Sequence, residues 1–239
     1  MIKRNESDKV FWHKFNEFYE SKLPSKANNI LEIGVFNGDS IRYWRDKYLN
    51  SSIVGIDIVD EKEFWPKDNK IQYFQLDQSD SLVYNQLLGE LARKYDIIIE
   101  DGSHDPLHQK ISLIESIPYL KEGGIYILED IHTSHKNHIL YQNRVKNLNK
   151  KKGIFQRRNE DYFMTLQCVL LIEFLISNNI KNYKLHELIN FDYSIFKEEE
   201  IIKLIEKVKG IEVFKRTTLP NYCYNCKGND YNLNTLMCK

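Results

Sequence analysis

The chain has 239 residues, with 34 basic and 34 acidic side chains and therefore no formal net charge. This length fits one α/β domain with a buried core, and a neutral charge balance is not typical of nucleic-acid binding or electrostatic membrane attachment. The first residues show no apolar signal core, and no run of about 18 apolar residues follows. We therefore expect a soluble, cytoplasmic protein. With four cysteines in this length, reduced thiols are expected.

The elements are predicted from hydrophobic periodicity. An N-terminal amphipathic helix is indicated before Pro24 by apolar side chains at helical spacing, namely Val10, Phe11, Phe15 and Phe18. Apolar runs of strand length follow at residues 29–33, 52–58, 71–76, 96–100 and 125–128. Helical stretches separate most of them, as at residues 40–48 and 106–117. This alternation predicts a Rossmann-like, doubly wound and mostly parallel sheet flanked by helices.

Two helix starts carry recognisable end signals. Asp39 or Ser40 can cap the helix over residues 40–48. Pro106 falls in the first turn of the next helix, where its missing N–H costs least. Local chemistry and hydrophobic pattern therefore agree on where both helices begin.

The most informative stretch is an apolar strand that runs directly into Glu100, Asp101, Gly102, Ser103 and His104. A second strand ends in the same way, with two adjacent carboxylates. Parallel strands have their carboxyl ends at one edge of the sheet, so these side chains should meet, and such a carboxylate cluster requires a cation.

Neighbouring side chains on an extended strand point in opposite directions, so only one member of each acidic pair should face the site. We predict that Asp101 rather than Glu100 does so. Asp130 is the stronger metal candidate of the second pair, although Glu129 reaches the metal too if the loop bends.

The first strand leads into a glycine-bearing loop that contains Gly34 and Gly38. A tight strand-to-helix turn explains this spacing equally well. The second strand ends in Asp57, 25 residues after Glu32, where a carboxylate can accept hydrogen bonds from ribose hydroxyls. Glu32 would repel a pyrophosphate but suits a cofactor with an ammonium group, which points to S-adenosylmethionine.

These segments together resemble the class I S-adenosylmethionine-dependent methyltransferases, and more narrowly the macrocin and mycinamicin type of macrolide-sugar O-methyltransferases. The motifs that carry the resemblance are Leu31-Glu32-Ile33-Gly34, Val54-Gly55-Ile56-Asp57, Asp77-Gln78-Ser79-Asp80, Asp101-Gly102-Ser103-His104 and Gly123-Gly124-Ile125-Tyr126-Ile127-Leu128-Glu129-Asp130. They span about residues 29–133, and the last two are more specific than the glycine loop.

The resemblance implies a role for each matching residue. His104 would be the catalytic base, and the metal candidates are Asp101, Glu129 and Asp130. Asp77 and Gln78 would lie near the adenine. The remaining residues expected at the cofactor are Glu32, Gly34, Phe36, Gly38, Ser40, Asp57, Asp101 and Ser103.

The chemistry gives reasons for these residue types. A sugar hydroxyl is a poor nucleophile near neutral pH and must lose its proton as it attacks the methyl group. A histidine can accept that proton, and a divalent cation can lower the hydroxyl pKa. Oxygen ligands favour magnesium, calcium or manganese over zinc, and we expect Mg2+ or another divalent cation.

Simpler interpretations exist for several of these residues. Asp57 and Asp77 could each cap a turn, and His104 could be an exposed turn histidine. We expect Asp96 to have a structural role at the start of its strand, and His108 to lie at the surface.

The segment after the second acidic pair is basic. Residues 133–160 hold eight Lys or Arg and one Glu, a formal charge of eight minus one, or +7. A solvated loop is one interpretation, and a lid over an anionic substrate is the other. His132 is a candidate substrate contact, whereas His135 and His138 are taken as loop residues.

The last part of the chain is less informative. An almost continuously apolar helix is predicted over residues 163–176, with Cys168 in its core, and residues 183–191 and 211–216 could form the last strands. Cys223, Cys226 and Cys238 are one thiol short of a structural zinc set.

We therefore expect a single methyltransferase domain over residues 1–239. Its parts are a helical flank (1–27), a cofactor-binding core (29–132), a basic lid (133–160), and a C-terminal helix with the last strands (161–239). The expected partner is a small sugar or nucleotide sugar, with no nucleic acid and no membrane, and homo-oligomer formation stays open. The alternatives are methylation of another small hydroxyl or amine, and a non-catalytic cofactor-binding domain.

Overall fold

A parallel sheet forms the centre of the computed structural model, which describes residues 16–152 and 161–214 and the backbone of residues 231–232 and 237–238. Its strands are β1 (Asn29–Ile33), β2 (Ser52–Asp57), β3 (Ile71–Gln75), β4 (Tyr95–Glu100) and β5 (Leu120–Leu128). The spatial order is β3-β2-β1-β4-β5, with all four pairings parallel. The predicted doubly wound parallel sheet is therefore confirmed.

Helices flank the sheet and continue beyond it. They are α1 (Asn16–Lys22), α2 (Asp39–Lys47), α3 (Ser81–Leu91), α4 (Pro106–Ser116), α5 (Ile139–Lys151), α6 (Thr165–Ser177), α7 (Leu185–Leu188) and α8 (Glu198–Lys207). Short 3-10 turns occur at Ile117–Tyr119, Ile131–Ser134 and Phe191–Tyr193. Two short strands, β6 (Tyr231–Asn232) and β7 (Met237–Cys238), pair in antiparallel fashion. Val10, Phe11 and Phe15 of the predicted first helix lie outside the described residues.

Both faces of the sheet are covered, as its apolar strands require. On one face, Ile30 of β1 packs in a cluster with Trp44 of α2 and Tyr19 of α1. On the other face, Leu31 packs in a cluster with Tyr84 and other side chains of α3. Full burial of such a side chain stabilises the fold by about 1.5–3 kcal/mol relative to exposure. The alternation along β1 thus fixes which helices lie on which side.

The predicted start of α4 is confirmed, whereas the predicted cap of α2 is wrong. Asp105 caps α4 by accepting a hydrogen bond from the Leu107 N–H at 2.9 Å, and Pro106 is the first helical residue, as predicted. The cap of α2 is Gly38, with a left-handed φ of 74° and no side-chain cap hydrogen bond. Asp39 instead pairs with Arg42 at 2.7 Å within the first turn.

The predicted late strands are not formed in the described residues. Residues 183–191 contain α7 rather than a strand, because Leu185 and Ile189, four residues apart, are both buried against the cluster that includes Ile172 and Leu204. Residues 211–214 carry no strand, and residues 215–216 lie outside the described part of the chain.

The described part of the basic segment is largely helical, because α5 covers Ile139–Lys151. Tyr141, Val145 and Leu148 recur at helical spacing on α5 and pack with Tyr162 and Met164. This periodicity was available in the sequence but was hidden among many lysines and asparagines. Cys168 is fully buried in α6, as predicted. Within the described residues, none of the helices combines the length and apolarity that a membrane crossing requires.

Candidate active site

The candidate site lies where the strand order reverses, between the carboxyl ends of β1 and β4. Ligands of open α/β sheets bind in this crevice. The loop after β1 and the turn after β4 are in direct contact there, because a Cβ atom at Gly34 would lie 2.1 Å from the backbone oxygen of Asp101. Gly34 also has a φ of 92°, so glycine is required for two independent reasons.

Three side chains converge beside this contact. Ligand atoms of Asp101, His104 and Asp130 all lie within 4.8 Å of one another, and His104 Nε2 is 3.5 Å from Asp130 Oδ2. His104 and Asp130 both have a left-handed backbone, with φ values of 58° and 50°. Such conformations cost free energy in non-glycine residues and cluster at functional sites. Thr133 holds the strained turn by donating from Oγ1 to the His104 carbonyl at 2.7 Å.

This group fits a divalent cation on its donor chemistry. The carboxylates of Asp101 and Asp130 supply the hard oxygen ligands that Mg2+ and Mn2+ prefer, and the imidazole of His104 lies beside them. His104 Nδ1 is buried and has no hydrogen-bond partner among the described residues. The structure thus brings together the predicted base and two of the three predicted metal ligands.

Glu129, the third predicted ligand, does not join this group in the structure. It is 6 % exposed, and its Oε1 accepts a hydrogen bond from the Tyr19 hydroxyl at 2.6 Å. The Glu129 carbonyl accepts from Gln109 Nε2 at 3.0 Å. The carboxylate is thus tied to the N-terminal helix α1, and its role as a metal ligand stays a prediction.

The loop after β1 is organised by the predicted acid of β2. Asp57 Oδ2 accepts hydrogen bonds from the backbone N–H groups of Val35 at 2.8 Å and Phe36 at 2.9 Å. Oδ1 accepts from the Val59 N–H at 3.1 Å. Asp57 therefore shapes the loop itself, at the edge where the resemblance places the cofactor ribose.

The other predicted cofactor residues surround this loop. Glu32 is fully buried and its Oε2 accepts from the indole N–H of Trp44 at 3.0 Å. Phe36 has a left-handed φ of 50° and a 70 % exposed side chain. Ser40 is buried in the first turn of α2, and a Cβ atom at Gly38 would lie 2.8 Å from Pro66. These residues thus lie in β1, in the loop after it and in the first turn of α2, and their roles at the cofactor stay predictions.

The predicted adenine contacts are divided by the structure. Asp77 is exposed, and the Ser79 N–H that donates to it lowers the pKa of its carboxyl. Gln78 is 7 % exposed, and its carboxamide accepts a hydrogen bond from the Ser103 N–H of the turn that carries His104. The adenine role of Gln78 stays a prediction.

Glu100 points away from the site, as the alternation along β4 predicted. Burial raises the pKa of its carboxyl to about 8, with a further rise from the neighbouring Asp101 charge. Glu100 accepts a hydrogen bond from Gln78 Nε2 and is fully buried, so its carboxyl faces the protein interior.

The histidines near the site have different surroundings. His132 is largely exposed, and its Nδ1 lies 3.6 Å from Asp130 Oδ1. His138 caps α5 by accepting from the Leu140 N–H and stacks edge-on against His132. His108, predicted at the surface, is half-buried, and its Nδ1 contacts Ser103 Oγ at 2.7 Å. Burial lowers the pKa of His108.

Asp96 has the structural role that was predicted for it. Its Oδ2 accepts from the backbone N–H groups of Asn28 and Asn29, each at 2.8 Å, and Lys121 pairs with it at 2.8 Å. The sequence interpretation missed Tyr19, Gln109 and Thr133, which position the acidic strand end and the His104 turn. Only Thr133 had a signal, its position three residues after Asp130.

Comparisons with known proteins show what this chain is similar to. Residues 31–131 match the family model described as a methyltransferase domain. Mycinamicin VI 2''-O-methyltransferase of Micromonospora griseorubida is 32% identical over 138 residues, which cover 52% of this chain and 33% of that protein. L-olivosyl-oleandolide 3-O-methyltransferase of Streptomyces antibioticus is 30% identical over 145 residues, or 55% of this chain and 36% of that protein. The chain thus matches about a third of the length of these curated relatives.

A solved structure shares the fold. MycE methyltransferase from the mycinamycin biosynthetic pathway, in complex with Mg and SAH, aligns with a TM-score of 0.52 and 23% sequence identity. The alignment covers 72% of this chain and 41% of that one. Residues 31–131 thus match a methyltransferase domain, the chain shares the class I methyltransferase fold, and its sequence resembles the sugar O-methyltransferases of the macrocin and mycinamicin type.

Proposed function

We propose that this protein transfers a methyl group from S-adenosylmethionine to a sugar hydroxyl, with a divalent cation at Asp101 and Asp130 and with His104 as the base. The observation that carries this proposal is the contact between the Gly34 loop and the Asp101 turn. It puts the cofactor edge next to a group whose ligand atoms lie within 4.8 Å of one another. One short crevice can thus hold both methyl donor and acceptor.

The bound groups would supply an electrophilic methyl group on a sulfonium and a Lewis acid that lowers the pKa of the acceptor hydroxyl. The chain's own residues do the rest. Asp101 and Asp130 would hold the cation beside the acceptor hydroxyl, and His104 would accept the hydroxyl proton as the oxygen–carbon bond forms and the carbon–sulfur bond breaks. The two contacting loops align the reacting atoms, which is the main requirement of an in-line displacement.

The acceptor is a sugar hydroxyl of a natural-product glycoside or a nucleotide sugar. The relatives in the comparison are named as methyltransferases of such glycosides. Ion pairing reduces the support for an anionic acceptor, because Arg144 is paired with Asp105 at 2.8 Å and Lys136 with Asp161 at 3.1 Å. The support for an anionic acceptor then comes from the other lysines of α5, which are Lys146, Lys150 and Lys151.

Calorimetric titration with S-adenosylhomocysteine, in Mg2+ and in EDTA, tests the cofactor and metal parts of this proposal. Mass spectrometry of reactions with nucleotide sugars and macrolide glycosides then tests the acceptor. We expect the protein to bind the cofactor, and we expect a methylated sugar only when Mg2+ is present. Failure to bind S-adenosylhomocysteine would refute the methyltransferase function. If EDTA changes neither binding nor transfer, His104 would act as the base without a metal. If only a catechol or an amine is methylated, that compound would replace the sugar as the proposed acceptor.

A further inference from the structure

The carboxamide of Gln78 lies directly beneath the turn that carries Asp101 and His104. Gln78 follows β3 and is 7 % exposed. A Cβ atom at Gly102 would lie 2.3 Å from Gln78 Oε1, so the turn rests on the carboxamide without intervening space. A substitution at Gly102 or a shift of Gln78 would therefore move the turn.

Every part of this carboxamide is engaged within the protein. Its Oε1 accepts a hydrogen bond from the Ser103 backbone N–H at 3.1 Å. Its Nε2 donates to Ser112 Oγ at 2.8 Å and to the buried Glu100 carboxyl. Since a backbone N–H can only donate, the oxygen of Gln78 must face Ser103, and this fixes the orientation of the amide.

The partners of Gln78 are themselves rigidly placed. Glu100 is the last residue of β4, Ser112 lies on α4, and both are fully buried. Gln78 thus links the strand before the turn, the helix after it and the turn's own backbone. This set of hydrogen bonds is called the Gln78 bridge below.

From this geometry we infer that Gln78 is a positioning residue, whose bridge holds the Asp101–His104 turn so that its carboxylate and imidazole face Asp130. The turn needs such support because His104 has a left-handed φ of 58°, a strained conformation for a non-glycine residue. Thr133 supports the turn from the His104 carbonyl, and Gln78 supports it from the Ser103 N–H. The catalytic consequence rests on the proposed function, whereas the effect on metal affinity does not require turnover.

The test compares Gln78→Met with wild type. Methionine keeps the length and apolar volume of the side chain but removes all three hydrogen bonds. We expect Mn2+ affinity, measured by calorimetry or electron paramagnetic resonance, to fall about tenfold, and kcat to fall by about 10–100-fold. The S-adenosylhomocysteine Kd and the KM for S-adenosylmethionine should stay within about threefold, because the loop after β1 and its hydrogen bonds to Asp57 are left intact.

Two further variants keep this experiment interpretable. Gln86→Met, on the exposed face of α3, is the matched control and should leave every value unchanged. If Gln78→Met does not fold, Ser112→Ala removes one hydrogen bond of the bridge and should show a smaller loss in the same direction.

The outcomes separate this inference from the proposed function. Unchanged Mn2+ affinity and kcat in Gln78→Met would overturn the positioning role, and a selective loss of S-adenosylhomocysteine affinity would make Gln78 a cofactor contact instead. Mn2+ binding by wild type without methyl transfer would count against the proposed function alone. Absence of Mn2+ binding by wild type would overturn the metal-positioning role itself.

Discussion

The loop after β1 and the turn after β4 are two versions of one connection, a parallel strand leading into a helix. The first has glycines at two positions of positive φ, Gly34 and Gly38, and its Val35 and Phe36 N–H groups donate to Asp57 of the neighbouring strand. The second carries charged side chains, and its backbone is held by two hydrogen bonds, one between the Ser103 N–H and Gln78 and one between Thr133 and the His104 carbonyl. The first loop requires glycine because backbone atoms approach closely there, whereas the second turn requires hydrogen bonds from two neighbours because it must hold charged side chains in place.

The largest effect should come from removing the functional side chain of the β4 turn. His104→Ala is expected to lower kcat by about 10²–10⁴-fold, the usual contribution of general base catalysis. Cofactor affinity should stay unchanged, since the β1 loop is intact. A methyl-transfer assay and calorimetry with S-adenosylhomocysteine measure the two quantities. Equal losses in both would contradict the separation of roles. A loss of Mn2+ affinity would identify His104 as a metal ligand.

The next effect tests the contact between the two loops. Gly34→Ala would put a Cβ atom 2.1 Å from the Asp101 carbonyl oxygen at a left-handed φ. We expect the free energy of unfolding to fall by about 1–3 kcal/mol, together with weaker S-adenosylhomocysteine binding. Urea unfolding and calorimetry measure these changes.

Gly89→Ala is the control for Gly34→Ala. Gly89 lies in α3, where an added Cβ atom meets only the Tyr119 hydroxyl, at 3.6 Å. Alanine is favoured over glycine in a helix by about 0.5–1 kcal/mol, so this variant should be neutral or more stable. Similar destabilisation by both substitutions would show that the tight contact at Gly34 is not the cause.

A smaller effect is expected at the acid that holds the β1 loop. Asp57→Ala removes the acceptor of the Val35 and Phe36 N–H groups, and hydrogen bonds to a charged group contribute about 1.5–3 kcal/mol. We expect S-adenosylhomocysteine affinity to fall about tenfold or more, while kcat at saturating cofactor changes much less. A fall in kcat with unchanged affinity would reverse the roles assigned to the two loops.

The smallest effect should come from Tyr19, which contacts residues beneath both loops. Its ring packs 5.8 Å from that of Trp44, the donor to Glu32, and its hydroxyl donates to Glu129. Tyr19→Phe should lower the free energy of unfolding by about 1 kcal/mol and change Kd and kcat by less than about threefold. Tyr43→Phe is the control, since its hydroxyl makes a longer contact with Glu20 at 3.5 Å. A large loss of activity in Tyr19→Phe would show that α1 couples the two loops.

The strands and the site edge could be predicted well from the sequence, for a physical reason. Hydrophobic runs and strand ends are local properties, so the residue pattern alone was enough to place Asp57, Asp101 and His104 at one edge of the sheet. The direction of Gln78 could not be predicted, because it depends on Ser112, 34 residues later. Glu129 is similar, since its carboxylate is tied to Tyr19, 110 residues earlier.

The helix α7 shows the other limit of sequence interpretation. Leu185 and Ile189 lie in a short apolar stretch that suits a strand as well as a helical turn. Packing against α6 and α8 stabilises the helical turn, and these contacts are made by residues that are distant in the sequence. The helix in the basic segment was not predicted for a different reason, because its charge concealed the periodic Tyr141, Val145 and Leu148, and its role as a lid stays a prediction.

The contact of Gly34 with the Asp101 backbone also has a consequence for protein engineering. Main chain rests on main chain there, so the closest approach of the two loops is fixed by backbone atoms of residues 34 and 101. On the proposed function, acceptor preference would change through residues after Ser134 while this approach stays constant. A junction placed after the Ile131–Ser134 turn keeps Thr133 and its hydrogen bond to the His104 carbonyl. Such a junction should therefore suit chimeras, in which the later helices of a relative replace residues 135–214 to alter the sugar that is accepted.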